Sequence, residues 1–387
     1  MSHDHARAAS REDIGDLATE KKPERLTSLD IFRGITIAGM ILVNNAGSGA
    51  AYPPLHHAEW DGLTPTDLVF PFFVFIIGVA IPLSFNNRRV GGSGTFGLIL
   101  RILRRSFLIF GIGILLHAFP TFSHWDTIRI PGVLQRLALC YLCASLLALM
   151  FGPKTLAAIA ATLLIGYTAA MSYVPVPGGK AGDLSRQGNL AAYVDRLLLP
   201  GHLYKTDYDP EGILSTIPAI ASALLGVLAG LLLRSNKSSY EKATCLLVGG
   251  TAAALAGYVW SGWVPINKAL WTSPFVLVSA GFALLLLGLL YWLVEIQGWK
   301  RWAWPAVVFG TNAIAAYILA ALLARGLGMI QWGAEDHRWT PKKYLVDQVF
   351  LSFTTPTNAS LLYSLSFVLT CFVIIYAMYR GKVFVKL

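Results

Sequence analysis

The 387-residue sequence predicts an all-α, polytopic transmembrane bundle of about ten spans, with both termini in the cytoplasm. Three observations predict it. Hydrophobic residues make up 55% of the chain and charged residues only 13%, more apolar surface than soluble cores of ordinary size can hide, so lipid is the expected solvent. The apolar residues come in runs of about 20, the length a helix needs to cross about 30 Å of hydrocarbon. Basic residues crowd into every second loop between those runs, which marks the cytoplasmic side.

Residues 1–27 are polar, with no apolar core and no small-residue cleavage site, and read as a disordered cytoplasmic tail. His3 and His5 fit a solvated tail better than a metal site. The transmembrane domain then fills 28–387, with spans at 28–47, 64–85, 102–119, 133–151, 155–173, 212–233, 243–260, 273–294, 305–324 and 359–379. The basic loops carry Lys21, Lys22 and Arg25; Arg88, Arg89, Arg101, Arg104 and Arg105; Lys154; Arg234, Lys237 and Lys242; Lys300 and Arg301; Arg380, Lys382 and Lys386. The opposite loops, 48–63, 120–132, 174–211, 261–272 and 325–358, hold or border Trp60, Trp125, Trp263, Trp271 and Trp332, as an interfacial belt requires. Segment 174–211 opens on VPVPGG and carries five carboxylates, so it reads as a turn-rich extracytoplasmic lid and not a missed helix. Segment 325–358 is too long for a bare connector, and an interfacial helix is expected around 341–353.

A net charge of +10 raises the question of nucleic acid, but its clusters lie between apolar runs and form no basic domain, so the topology rule absorbs them. Cys140 and Cys143 form a C-x-x-C inside an apolar run without a neighbouring His or charge, which reads as packing. G-x-S-x-G, H-E-x-x-H and Walker signatures are absent, so serine hydrolase, zinc enzyme and ATPase chemistries have no support.

Chemistry is expected in the stretch LHHAEWDGLTPTDLVFP, 55–71, which joins the first two spans and sets histidines and carboxylates at a membrane boundary. His57 can take a proton from an amine or hydroxyl at neutral pH or be acylated itself; a surface role is the alternative. Asp67 stands in the first turn of the second span, behind Thr64 and Pro65, where it can either satisfy orphan amides or fix the tautomer of His57. Asn44 can stabilise an oxyanion or simply join two helices. Asp30 and Arg33 are spaced as a helical ion pair, yet Arg33, like Arg104 and Arg105, also suits phosphate. An arginine as deep as Arg136 is costly unless it pairs or binds, so Gln135 and Arg136 are taken to line a site. His56, Asp209, Glu211, Asn267, Lys268, Trp271 and Asn312 complete a polar set suited to a sugar, with helix caps and interfacial anchors as the ordinary roles.

The blocks SLDIFRG (28–34), Val43 with Asn44, HAEW (57–60), DLVFPFFVF (67–75), PGVLQR (131–136), YDPEG (208–212), PINKALW (265–271) and GTNAI (310–314) together resemble the heparan-alpha-glucosaminide N-acetyltransferase family, including its short bacterial members. The resemblance implies acetyl transfer from acetyl-coenzyme A (acetyl-CoA) to an amino sugar or glycan fragment, with His57 as catalytic histidine, Asp67 as its partner and Asn44 in the site. It also implies that the cosubstrate is held near Arg33, Arg104 and Arg105, to which Gln135 and Arg136 are added as cosubstrate contacts because of their depth, while His56 matches no family histidine and is a substrate contact at most. The expected setting is a bacterial inner (plasma) membrane, the expected partners are the cosubstrate, the acceptor and the bilayer, and a homodimer is left open. The alternative is an amino-sugar permease, although matched repeats are not visible in the sequence.

Overall fold

The computed structural model describes residues 26–89, 94–120, 122, 125–333 and 338–385. The predicted tail lies outside the described residues except for Leu26 and Thr27. The described chain is helical: α1 (Thr27–Asn44), α2 (Pro65–Arg89), α3 (Thr95–Ala118), α4 (Val133–Met150), α5 (Pro153–Tyr173), α6 (Leu190–Leu198), α7 (Thr216–Arg234), α8 (Ser239–Trp260), α9 (Ser273–Tyr291), α10 (Trp304–Thr311), α11 (Ala313–Met329) and α12 (Pro356–Arg380). The only β pairing among the described residues is an isolated bridge between Trp332 and Trp339.

Eight of these helices are long and apolar enough to cross a membrane, and the count reaches nine if α10 and α11 are one broken span. The predicted span 102–119 falls in α3, where Arg101, Arg104 and Arg105 shorten the uncharged stretch. The predicted continuous span 305–324 is corrected: it bends by 71° at Asn312, where Gly310, Thr311 and Asn312, all weak helix formers, interrupt the apolar run. Asn312 turns this break into an anchor, because its amide donates to the Val383 carbonyl at 2.9 Å and accepts from Val385 N–H at 3.1 Å.

Small residues let the helices approach closely, as bundles in lipid require. A Cβ on Gly34 would stand 1.7 Å from the Ala306 carbonyl oxygen, and one on Gly310 would stand 1.9 Å from that of Asp30, so α1 and α10 cross almost backbone to backbone. Gly78 on α2 and Gly226 on α7 do the same. These contacts fix α1 and α2, and hence the loop between them.

Segment 174–211 was expected to lack a helix but contains α6, nine residues whose N-terminus is capped by the Asn189 side chain accepting from Ala192 N–H at 2.8 Å. It is too short to span a membrane. The expected helix around 341–353 is a short helical turn, Pro341–Tyr344, that continues as a π-turn, Leu345–Phe350.

Candidate active site

His57 and Asp67 are brought together by the start of α2. Thr64 precedes the helix, Pro65 takes its first position, and Asp67 occupies the third, so its carboxylate can reach back over the helix N-terminus. Oδ2 accepts from the amides of Thr64 and Ala58, each at 3.1 Å, and from the Thr64 hydroxyl at 2.9 Å. Oδ1 faces the opposite way and lies 2.7 Å from His57 Nδ1. Each oxygen thus has its own contacts, Oδ2 with the helix start and Oδ1 with the imidazole. Asp67 is buried, whereas the His57 side chain is 50% exposed.

Lys268 joins this pair from the loop before α9. Its Nζ lies 3.0 Å from His57 Nδ1 and 3.4 Å from Asp67 Oδ1. Burial pulls the Lys268 ammonium below the usual lysine range, opposed by the carboxylates of Asp67 and Glu211. The loop is held in place by Asn267, which donates to Asp61 Oδ1 at 3.0 Å, and by Gly62 N–H donating to the Ile266 carbonyl at 2.8 Å.

The other expected site residues separate into groups. Asp209 and Glu211 are engaged by Arg129, whose guanidinium meets Asp209 through two hydrogen bonds of 2.9 and 2.7 Å and also binds Glu211. Burial works against the Arg129 charge, but the two carboxylates outweigh it and hold the group above its usual range. Arg136 is fully buried; it donates to the Gly212 carbonyl at 3.2 Å and to Ser215 Oγ, and lies 4.9 Å above the Trp271 ring. Trp271 is 1% exposed, donates to Ser222 and packs on Phe70 and Phe275, so its faces are taken by protein and not free for a sugar. Gln135 is buried beside His117, with its Nε2 3.4 Å from the ring. His56 is exposed, its Nε2 3.2 Å from the Ala51 carbonyl. Asn44 is exposed at the end of α1, and among the described residues no hydrogen bond joins it to His57 or Asp67. Asn312 belongs to the opposite end of the bundle, where it binds the carboxyl-terminal segment.

That opposite end holds a cavity of about 610 Å³. Arg33, Arg105 and Tyr141 are among its walls, with Met40, Phe73 and Tyr317 further in and Val385 contributing from the carboxyl-terminal segment. Arg33 is hydrogen-bonded to Asp30 and to the Gly310 carbonyl, each at 3.2 Å. Arg105 lies 4.7 Å over the Tyr141 ring, and its Nε is buried without a hydrogen-bond partner among the described residues. Arg104 is exposed and lies outside the cavity walls. His57 is not a wall either: on α2 the cavity ends at Phe73, about 9 Å along the helix from Asp67.

The model of the family described as "Heparan-alpha-glucosaminide N-acetyltransferase, catalytic" matches residues 25–259, more than half of the chain. The chain belongs to this family. Two relatives bear the name heparan-alpha-glucosaminide N-acetyltransferase: one from Homo sapiens, 33% identical over 94% of this chain and 60% of its own length, and one from Mus musculus, 32% identical over 84% and 57%. The chain thus spans about three fifths of the length of the curated relatives it matches. It is an integral membrane protein, as the relationship and the apolar helices together show.

In this heparan-alpha-glucosaminide N-acetyltransferase relative, Arg129 and the stacking of Arg186 were missed from the sequence. Arg129 sits in segment 120–132, a loop the sequence predicts to be extracytoplasmic and where the topology rule disfavours arginine; that exception was the available signal for its carboxylate partners. Arg186 lies 5.2 Å from both the Trp60 and Tyr208 rings and donates to the Glu59 carbonyl, clamping segment 174–211 onto the HAEW motif.

Proposed function

We propose that this chain is a transmembrane acetyltransferase that moves an acetyl group from cytoplasmic acetyl-CoA to the amine of an amino sugar on the other face. The observation that carries this reading is the 2.7 Å contact between His57 Nδ1 and the buried Asp67 Oδ1 beneath a half-exposed ring. With the proton on Nδ1 donated to Asp67, Nε2 keeps its lone pair and can serve as a general base. The acceptor nitrogen attacks the thioester carbon, the C–N bond forms, the C–S bond breaks, and the amine proton passes to Nε2 while the thiolate leaves. A relay in which Nε2 is acetylated first uses the same contacts.

The cavity suits the cosubstrate in charge and shape. Arg33 and the unsatisfied Nε of Arg105 offer donors to phosphate, and Ile76, Ile77, Ile81, Ile109, Leu134 and Leu137 supply apolar wall, as a pantetheine arm requires. Arginines bind phosphate through a planar fork of donors, which lysine cannot copy. Holding the polyanion at one end and passing on only the neutral acetyl group avoids carrying several charges through lipid. The stretch between Phe73 and Asp67 must open for the thioester to arrive, and we assign that step to donor binding.

The broken α10–α11 span favours a second reading, because interrupted helices are common in transporters. The test is radiolabelled acetyl transfer to glucosamine by purified protein, set beside sugar uptake into sealed proteoliposomes. Acetylated product that falls at least 100-fold in folded His57→Ala supports the enzyme. Uptake without product, or full activity in His57→Ala, overturns it.

A further inference from the structure

Among the described residues, Lys268 Nζ is the one lysine nitrogen hydrogen-bonded to the His57 ring, at 3.0 Å. The proposed acceptor is also an amine. We infer that Lys268 is itself an acetylation site: when no amino sugar is bound, the chain transfers the acetyl group of acetyl-CoA to its own Lys268 Nζ. This rests on the acetyltransferase reading above.

The geometry supplies what the step needs. Lys268 is 20% exposed, enough for a thioester to reach its nitrogen. With the His57 ring in the tautomer that donates Nδ1–H to Asp67, the carboxylate Oδ1, 3.4 Å from Nζ, can take the proton that the attacking amine sheds, and burial of Lys268 favours the uncharged amine that can attack. Nζ attacks the thioester carbon, the C–N bond forms and the C–S bond breaks. The Nζ proton passes to Asp67 Oδ1 and then to the departing thiolate, leaving an amide and free coenzyme A. No oxidant or further reactant is required.

The modification would change the site it came from. An acetylated Nζ is neutral, so Asp67 Oδ1 loses the positive charge now 3.4 Å away, and the added acetyl group stands beside the ring where the acceptor binds. Self-acetylation is therefore a brake that sets in when donor is plentiful and acceptor scarce.

The test incubates the full-length purified protein in detergent with isotope-labelled acetyl-CoA and no sugar, followed by tandem mass spectrometry. Lys237, which is exposed, and Lys242, which is partly buried, serve as internal controls within the same molecule. The expected result is Lys268 labelling at least tenfold above both controls, suppressed by millimolar glucosamine and reduced at least tenfold in Asp67→Asn. Preincubation with donor alone should slow the later acetylation of glucosamine severalfold in the wild type, whereas Lys268→Arg should be unaffected by preincubation relative to its own untreated rate. If glucosamine is acetylated but Lys268 stays bare, or is labelled no faster than the controls, this inference fails and the acetyltransferase reading stands. If neither is acetylated, both fail.

Discussion

At the scale of single residues, Asp67 divides its two oxygens between a helix N-terminus and an imidazole. Asn at this position can keep only one of those tasks. If its oxygen accepts from Ala58 and Thr64, its NH2 group points at Nδ1 and drives the ring to the tautomer with hydrogen on Nε2. Asp67→Asn should therefore fold normally yet lose at least 100-fold in acetyl transfer; equal activity in a steady-state assay would separate Asp67 from the chemistry. Arg129 makes a contrasting case. Asp209 has a fully buried side chain paired with it, so Arg129→Met should lower stability by about 3–5 kcal/mol, visible as a fall in the detergent melting temperature. His57 and Asp67 were legible in the sequence because ten residues, a Thr-Pro helix start and a membrane boundary frame them locally. The contact of Lys268 with both was not, since it depends on how two loops more than 200 positions apart dock. Trp271 misled for a related reason: an interfacial tryptophan and a core tryptophan look alike until Arg136 is seen above the ring.

At the scale of elements, the apolar runs made most helices legible, because lipid forces each spanning segment to satisfy its own backbone. What the runs could not show was where a helix stops being straight. The α10–α11 break turns on Asn312 finding backbone partners at Val383 and Val385, a tertiary event. The α1–α10 crossing gives a direct prediction: Gly34→Val places a side chain against the Ala306 carbonyl and should leave little folded protein by size-exclusion chromatography, while Gly49→Ala, where a Cβ meets nothing within 4 Å, should be silent. α6 carries a pH signature. Burial pushes Asp195 up to about 6, partly offset by the Ile213 amide donating to Oδ1 at 2.7 Å. A carboxyl with a raised native pKa favours the fold at low pH, so its contribution is full below about pH 4 and is lost as pH rises through about 6. Protease nicking of segment 174–211 should accordingly increase from pH 4 to 7, and Asp195→Asn should flatten that trend while keeping the acceptor for Ile213.

At the scale of the whole molecule, Arg33 in the cavity wall lies about 17 Å by helical rise from Asn44 at the other end of α1, where the chain enters the loop that carries His57. The proposed orientation puts His57 outside. A cysteine introduced at position 57 should react with an impermeant maleimide from the extracytoplasmic side of intact cells, and labelling only after permeabilisation would reverse the topology. Charge reversal at Arg105 should raise the acetyl-CoA concentration needed for half-maximal rate at least tenfold more than that of glucosamine; equal changes would remove the cavity from the donor's path.

The tie between Asn312 and the backbone at Val383 and Val385 has a practical consequence. Because Phe384 and Val385 help to wall the cavity, the segment that Asn312 holds is itself a chamber wall. Cutting the chain back to Lys382 will therefore remodel the chamber instead of merely shortening the chain.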